Sequence, residues 1–325
     1  MDTIAPAWLW AFFVASVLVA LFVDFVVLKK QGAHSVSVKE AVNWSLLWVA
    51  LSFAFNALFW WAVRQDHGAE VANTKSMEFL TGYLIEKSLA VDNIFVFLMI
   101  FTYFAVPPDF QKRVLMIGIV GAIVLRTVMI LLGSWLISEF HWVLYLFGAF
   151  LLLTGIKMWW AAGKEPDLES NPALKLLRRW LPVSQRFDGE KFFTVENGKR
   201  IATPLLLVIA LVGLTDVIFA VDSIPAIFAI TTDPFIVLTS NIFAILGLRA
   251  MYFLLAAVAV KFHLLSYGLA VVLVFIGSKM LLIDVIKIPV FLSLGVVVAI
   301  LAITMVWSLK TAPKIALPSG ERPPA

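Results

Sequence analysis

The stretch DVIFAVDSIPAIFAI, residues 216–230, places two aspartates, Asp216 and Asp222, six positions apart inside an apolar run. An earlier stretch, EKSLAVDNIFVF, begins at Glu86 and carries Asp92 at the same spacing. Both stretches contain Ala-Val-Asp, and each acid of the first lies 130 positions before its counterpart in the second. We interpret the two stretches as an internal repeat with ionisable groups in membrane-spanning segments.

The composition around these stretches excludes a water-soluble globule. Hydrophobic residues make up 62% of the 325 positions and charged residues 14%, whereas about a quarter of the residues of a soluble domain are charged. The mean hydropathy is +0.98. Because one crossing of the bilayer takes about 20 apolar residues, this composition indicates a polytopic membrane protein.

Apolar runs long enough to be helices predict an all-α protein with about nine transmembrane helices. The first run is expected to be a retained span rather than a cleaved signal peptide, because no small-residue cleavage site follows it. The nine runs cover residues 7–28, 41–63, 78–104, 114–137, 141–161, 202–230, 236–260, 264–285 and 288–309.

The distribution of basic residues predicts the orientation of the chain in a bacterial inner membrane. Seventeen Lys and Arg residues fall on one side of the predicted spans and three on the other, and the richer side is expected to be cytoplasmic. The N-terminus is therefore predicted outside the cytoplasm and the C-terminus inside. The third and sixth spans, which carry the two motif copies, then cross in opposite directions, as in inverted-repeat transporters with a midplane site.

We divide the chain into a first membrane half (1–161), a cytoplasmic loop (162–201), a second membrane half (202–309) and a tail (310–325) that we expect to be disordered. In the loop, the segment from Pro172 to Leu181 resembles a basic amphipathic helix on the inner leaflet. Asn197-Gly198 favours the turn of a β-hairpin.

Five acids lie within the apolar runs, and a charge at the centre of a span costs about 3 kcal/mol on insertion scales. Such groups indicate a functional site. Pro225 is expected to break the sixth span and free a carbonyl beside one of them. The candidate metal ligands are Asp24, Glu86, Asp92, Asp216 and Asp222, with Asn56, Asn93 and Asn241 as further amide ligands.

Oxygen ligands of this kind suit Mn²⁺, Mg²⁺ or Ca²⁺. Cysteine is absent from the 325 residues, so thiolate ligands and disulfides are excluded for them. The four histidines are interpreted as surface residues at span ends or in loops: His34, His67, His141 and His263.

Three other interpretations remain open. The acids could form salt bridges with Lys87, Arg126 or Arg249, while Lys279 lies near enough to an end of its span to reach water. Two aspartates could form a protease dyad, but the Gly-x-Gly-Asp of intramembrane aspartyl proteases is missing. The chain could also be a membrane scaffold or a metallation factor that acts through its cytoplasmic loop.

The two motif copies, together with NPALKLLRRWLP at 171–182 and TSNIFAILGLRAMYF at 239–253, resemble the TerC family of integral membrane proteins. The resemblance implies a role in metal homeostasis at the inner membrane, chiefly Mn²⁺ export. It maps the family's intramembrane acids onto the four motif acids, with Asp24 at the acidic position near the end of the first span.

The resulting hypothesis is a non-enzymatic Mn²⁺ exporter driven by proton exchange. Asp92 and Asp222 are expected to bind the ion directly. Glu86 and Asp216 are expected to complete the coordination or carry protons, and Asp24 to lie on the cytoplasmic approach. Expected partners are divalent cations, protons and the lipid bilayer, with no nucleic acid and no tightly bound cofactor.

Overall fold

The computed structural model describes residues 3–31, 38–162, 172–180, 182–184, 186–196, 198–258, 264–286 and 288–311. Helices dominate these residues, as expected where a backbone in hydrocarbon must satisfy its own polar groups. The elements are α1 (Ala7–Gln31), α2 (Val38–Tyr103), α3 (Pro108–Glu139), α4 (Val143–Ala161), α5 (Pro172–Trp180), β1 (Phe193–Glu196), β2 (Lys199–Ala202), α6 (Pro204–Phe228), α7 (Pro234–Leu246), α8 (Leu248–Val258), α9 (Leu265–Leu281) and α10 (Val290–Thr311).

Helix α2 is two antiparallel limbs that fold back at Gly68. This glycine has φ 84° and ψ 170°, a backbone conformation that favours a residue without Cβ. We call the limbs α2a (38–67) and α2b (69–103). Asn56 donates to Ser76 at 2.8 Å and Trp60 to Asn73 at 2.8 Å. Because the paired positions converge on Gly68, the second and third predicted spans form a helical hairpin.

The seventh predicted span is broken rather than straight. Helices α7 and α8 meet at Gly247 with a bend of 44°. We expected one continuous helix over 236–260, and residues 259–260 lie outside the described residues.

By length and composition, the described residues contain six helices that could cross a membrane, or seven when α7 and α8 count as one bent span. This confirms an all-α polytopic membrane protein. The count treats α2 as one helix, and α9, with 17 residues, falls below the required length. The expectation of nine spans therefore stays a prediction.

The expected break at Pro225 was wrong. Helix α6 continues through this residue and ends three positions later at Phe228. Proline removes only the hydrogen bond to the carbonyl of Val221, and at the last turn one lost bond leaves the preceding helix intact. In this half of the chain, the helix break lies at Gly247, between α7 and α8.

The segment between α4 and α6 forms the predicted helix and hairpin. Leu174 of α5 is buried in a cluster that includes Leu205 of α6, so the apolar face of α5 packs on the bundle. Strand β1 pairs with β2 in antiparallel register, with Glu196 opposite Lys199. Gly198 has φ 74°, as the predicted turn requires. Residues 312–325, which hold most of the predicted tail, lie outside the described residues.

The apolar interior consists of two clusters. The first contains a group of phenylalanines from α1, α2a, α2b and α7, with ring centroids of Phe55 and Phe243 4.6 Å apart. The second joins the later part of α2b to the early parts of α3 and α6. On α3 the first cluster includes Ile130 and the second includes Ala122. The buried polar side chains around Arg126 lie between these two positions, and we call them the polar layer.

Helices α4 and α9 cross at paired glycines. A Cβ added to Gly277 would lie 2.6 Å from the amide nitrogen of Leu152 and 2.8 Å from the carbonyl oxygen of Gly148. A Cβ on Gly148 would in turn lie 3.2 Å from the carbonyl oxygen of Gly277. Small residues let helix backbones approach closely within a membrane, so this contact fixes α4 against α9.

We predict that Gly277→Ala destabilises the protein by about 1–3 kcal/mol, the usual cost of overpacking, because neither backbone can yield without separating the helices. The measurement is the thermal unfolding midpoint of the purified protein in detergent. Gly213→Ala in α6 is the matched control, since its Cβ would meet nothing within 4 Å. Equal midpoints for the two variants would contradict the close crossing.

Candidate functional site

The centre of the polar layer is Arg126 of α3, whose side chain is 1% exposed. Its Nη1 donates to Glu86 of α2b. Its Nη2 lies 3.3 Å from Oδ1 of Asp216 on α6. The first acids of the two motif copies therefore meet around one guanidinium, whereas we expected the second acids to meet as direct ligands.

Two neutral side chains complete this cluster. Asn241 of α7 donates through Nδ2 to Glu86 at 3.0 Å, and its Oδ1 lies 3.4 Å from Nη1 of Arg126. Ser223 of α6 accepts from the same Nη1 at 3.2 Å. We call Glu86, Arg126, Asp216, Ser223 and Asn241 the central cluster. It joins four helices, so displacement of any one of them would disturb it.

Two atoms of the central cluster have no hydrogen-bond partner in the described part of the chain. They are Oδ2 of Asp216 and Nε of Arg126, and both are buried. A cavity of about 10 Å³ is lined by Arg126, Asp216 and Asn93 together with apolar side chains. This is close to the smallest volume that holds one water, so the cavity has room for one water-sized guest beside Asp216.

The second acids of the motifs lie elsewhere. Asp92 accepts from Ser266 of α9 at 3.0 Å, and Asp222 accepts from Thr154 of α4 at 3.4 Å. A six-residue step turns about 240° on a helix, so the two acids of one copy point in different directions. The structure does not bring Asp92 and Asp222 together as a ligand pair.

The remaining candidates are separate from the central cluster. Asp24 of α1 pairs with Arg249 of α8, beside the break at Gly247. Asn56 bonds Ser76 between the two limbs of α2 and has a buried oxygen that lacks a donor among the described residues. Neither contributes to the surroundings of Arg126 that the structure describes.

The salt-bridge interpretation is confirmed for Arg126 and Arg249. Within the described ranges, Asp92 and Asp222 bond hydroxyl groups and form no ion pair, and no group of three or more His, Asp or Glu side chains is placed to hold a metal. His67 and His141 are exposed, as predicted. The other two histidines, His34 and His263, lie outside the described residues.

Lys87 has a role that sequence reasoning missed. We considered it as a partner for an acid, but its Nζ donates to the carbonyl oxygen of Ala244 at 3.0 Å. That carbonyl lies in the last turn of α7, where the helix leaves carbonyls without intrahelical donors. The ammonium therefore satisfies the carboxyl end of a broken span. The only sequence signal for this contact was Gly247, which directly follows the last residue of α7.

We predict that Asp24→Asn lowers the free energy of unfolding by about 3–5 kcal/mol, because it leaves the buried Arg249 guanidinium unpaired. Adding Arg249→Gln to this variant should recover most of the loss. Denaturation of the four proteins of this double-mutant cycle measures the coupling. A double variant no more stable than Asp24→Asn alone would contradict the pairing.

The sequence pattern of the integral membrane protein TerC family matches residues 71–314, which include the whole central cluster. The chain belongs to the TerC family. The match also covers the α4–α9 crossing and the break at Gly247.

TerC relatives cover nearly the full length of this chain. It is 57% identical over 306 residues to Alx of Salmonella typhi and 58% identical over 306 residues to Alx of Escherichia coli K12, in each case covering 94% of this chain and 95% of the relative. Both carry the provisional description of a membrane-bound redox modulator. An uncharacterised Myxococcus xanthus membrane protein is 50% identical over 301 residues, covering 93% of this chain and 92% of the relative. No solved structure matches the chain.

Proposed function

We propose that this protein exports Mn²⁺ across the bacterial inner membrane in exchange for protons. The observation that carries the proposal is the meeting of Glu86 and Asp216 around Arg126. Two carboxylates from the two motif copies are held together among apolar helices, where isolated charges are costly. One guanidinium leaves the trio with a formal charge of −1, which favours a further cation.

The chemistry of the central cluster suits a hard divalent ion. Glu86 and Asp216 offer carboxylate oxygens, and Asn241 and Ser223 offer neutral oxygens. Mn²⁺ accepts such ligands in octahedral sites, and a small dication commonly uses one or two carboxylates with waters filling the other positions. Two acids are therefore a sufficient protein contribution.

The proposed architecture is nine spans with an inverted repeat. Counting α2a and α2b separately, α7 and α8 as one, and α9 as a short span gives nine. The contacts of the second acids support the repeat, because Asp92 on α2b bonds α9 while Asp222 on α6 bonds α4. The reciprocal glycines Gly148 and Gly277 lie 129 positions apart, close to the motif offset of 130. The N-terminus would be periplasmic and the C-terminus cytoplasmic.

Asp92 and Asp222 are the proposed proton carriers. Each bonds a hydroxyl group, which can accept or donate a hydrogen bond as the carboxyl changes its protonation. The roles expected from the sequence are thus exchanged, with the first acid of each motif binding metal and the second carrying protons. Asp24, beside the broken span, stays on the proposed cytoplasmic approach.

The description of the Alx relatives as redox modulators does not transfer as thiol chemistry, since the 325 residues contain no cysteine. A scaffold or metallation factor acting through the cytoplasmic loop is the alternative. It predicts that Arg178 and Arg179 matter more than the membrane acids.

We predict that Glu86→Gln and Asp216→Asn each abolish Mn²⁺ efflux and weaken Mn²⁺ binding by more than the roughly 10–100-fold lost when a residue that only orients a ligand is removed. Asp92→Asn and Asp222→Asn should keep Mn²⁺ binding and lose acceleration of transport by a pH gradient. Binding is measured by titration of purified protein, and transport by Mn²⁺ uptake into inside-out vesicles.

Asp188→Asn is the matched control, because it removes an exposed carboxylate that pairs with Lys191 outside the helices. It should transport as the wild type does. Wild-type efflux by Glu86→Gln, with normal membrane insertion, would exclude the proposed metal site. Loss of Mn²⁺ efflux in Arg179→Gln, together with wild-type efflux in the acid variants, would favour the alternative of a scaffold or metallation factor.

A further inference from the structure

The central cluster already contains a cation that belongs to the chain itself. Arg126 contacts both Glu86 and Asp216 and fills the space between the two motif copies. A divalent ion bound by both carboxylates would need the position that the guanidinium now occupies. We propose that Arg126 is a tethered competitor, which holds the central site closed until a divalent cation displaces it.

Charge favours a divalent cation at the two carboxylates. With Arg126 in place, two carboxylates and one guanidinium leave one negative charge unbalanced in a buried layer. A divalent cation bound by the same two carboxylates would neutralise them completely, and the displaced guanidinium, which keeps its charge, would have to move to other acceptors. Electrostatic energies are larger away from water, so the carboxylate pair distinguishes a divalent guest from its monovalent occupant.

The hydrogen-bond pattern shows that Arg126 satisfies the site incompletely. Oδ2 of Asp216 and Nε of Arg126 are both buried without partners among the described residues, although native structures pair the large majority of such atoms. Asp216 is itself 7% exposed. Asp216 lines the small cavity together with Asn93, and its unpaired oxygen would give an entering ion a first ligand before the guanidinium leaves.

Displacement also links binding to a change of shape. Arg126 is carried by α3, Glu86 by α2b and Asp216 by α6, so its bonds tie three helices. A bound ion that takes over both carboxylates would free α3 from this tie. Without the ion, these contacts would hold the helices in place, and with the ion bound the helices could rearrange. The protein would therefore not change conformation unless the ion is bound.

The inference rests on the proposed function, and its test compares Mn²⁺ affinity with Mn²⁺ efflux. A ligand that must displace a competitor has its affinity reduced by the fraction of sites that are free. If fewer than about a tenth of the sites are free, Arg126→Gln should bind Mn²⁺ at least about tenfold more tightly than wild type. The same variant should lose efflux, because no guanidinium is left to displace the bound ion from the two carboxylates.

The titration uses full-length protein in detergent with MnCl₂ as the only added divalent salt. Arg249→Gln is the matched control: it removes the other arginine that is buried among the described residues but frees the single carboxylate Asp24. Its Mn²⁺ affinity should stay within about twofold of wild type. Arg126→Lys keeps a charge but loses the two-pronged contact, so its affinity should fall between wild type and Arg126→Gln.

Wild-type or weaker affinity in folded Arg126→Gln would overturn the inference while leaving Mn²⁺ export standing if wild type exports. Should Arg126→Gln fail to fold, Arg126→Lys decides, and an affinity no tighter than wild type overturns the inference. Equal tightening in Arg249→Gln would also overturn it. A wild-type protein that neither binds nor exports Mn²⁺ would instead reject the proposed function.

Discussion

The constraint on which the structure depends is the burial of a permanent positive charge. The guanidinium of Arg126 keeps its charge at any physiological pH, and burying such a group costs several kcal/mol unless carboxylates and other acceptors surround it. Glu86, Asp216, Ser223 and Asn241 supply that environment. Because these side chains come from α2b, α6 and α7, the arginine on α3 determines how four helices are positioned relative to each other.

The central cluster matters more in a membrane than it would in a soluble bundle. Lipid tails are as apolar as leucine, so helix association relies on packing and on polar contacts between helices. Here the two apolar clusters meet at the polar layer around Arg126. The glycine crossing of α4 and α9 supplies close packing elsewhere. Polar contacts thus stabilise one region of the bundle, and close helix packing stabilises another.

Sequence reasoning predicted what depends on local pattern. Apolar runs predicted the helices, and Asn197-Gly198 predicted the hairpin. The six-residue spacing identified four acids, of which Glu86 and Asp216 are buried and Asp92 and Asp222 are partly buried. Which acids meet was not predictable, because a pair six residues apart points in two directions and the choice depends on the packing of α3. The break at Gly247 was missed for a similar reason: glycine is tolerated in straight membrane helices, and its bend is maintained by Lys87 from another helix.

The repeat is unequal at its most important position. The offset of 130 that relates the acids would place the counterpart of Arg126 at Ala256, which carries no charge. Two arginines would have neutralised both acids and left the central cluster with no net charge to attract a further cation. With one arginine shared by two carboxylates, the interior retains a negative charge while remaining folded. The proposed ion-binding site therefore requires this difference between the two copies, since exact duplication of the first half would fill the site with the chain's own cations.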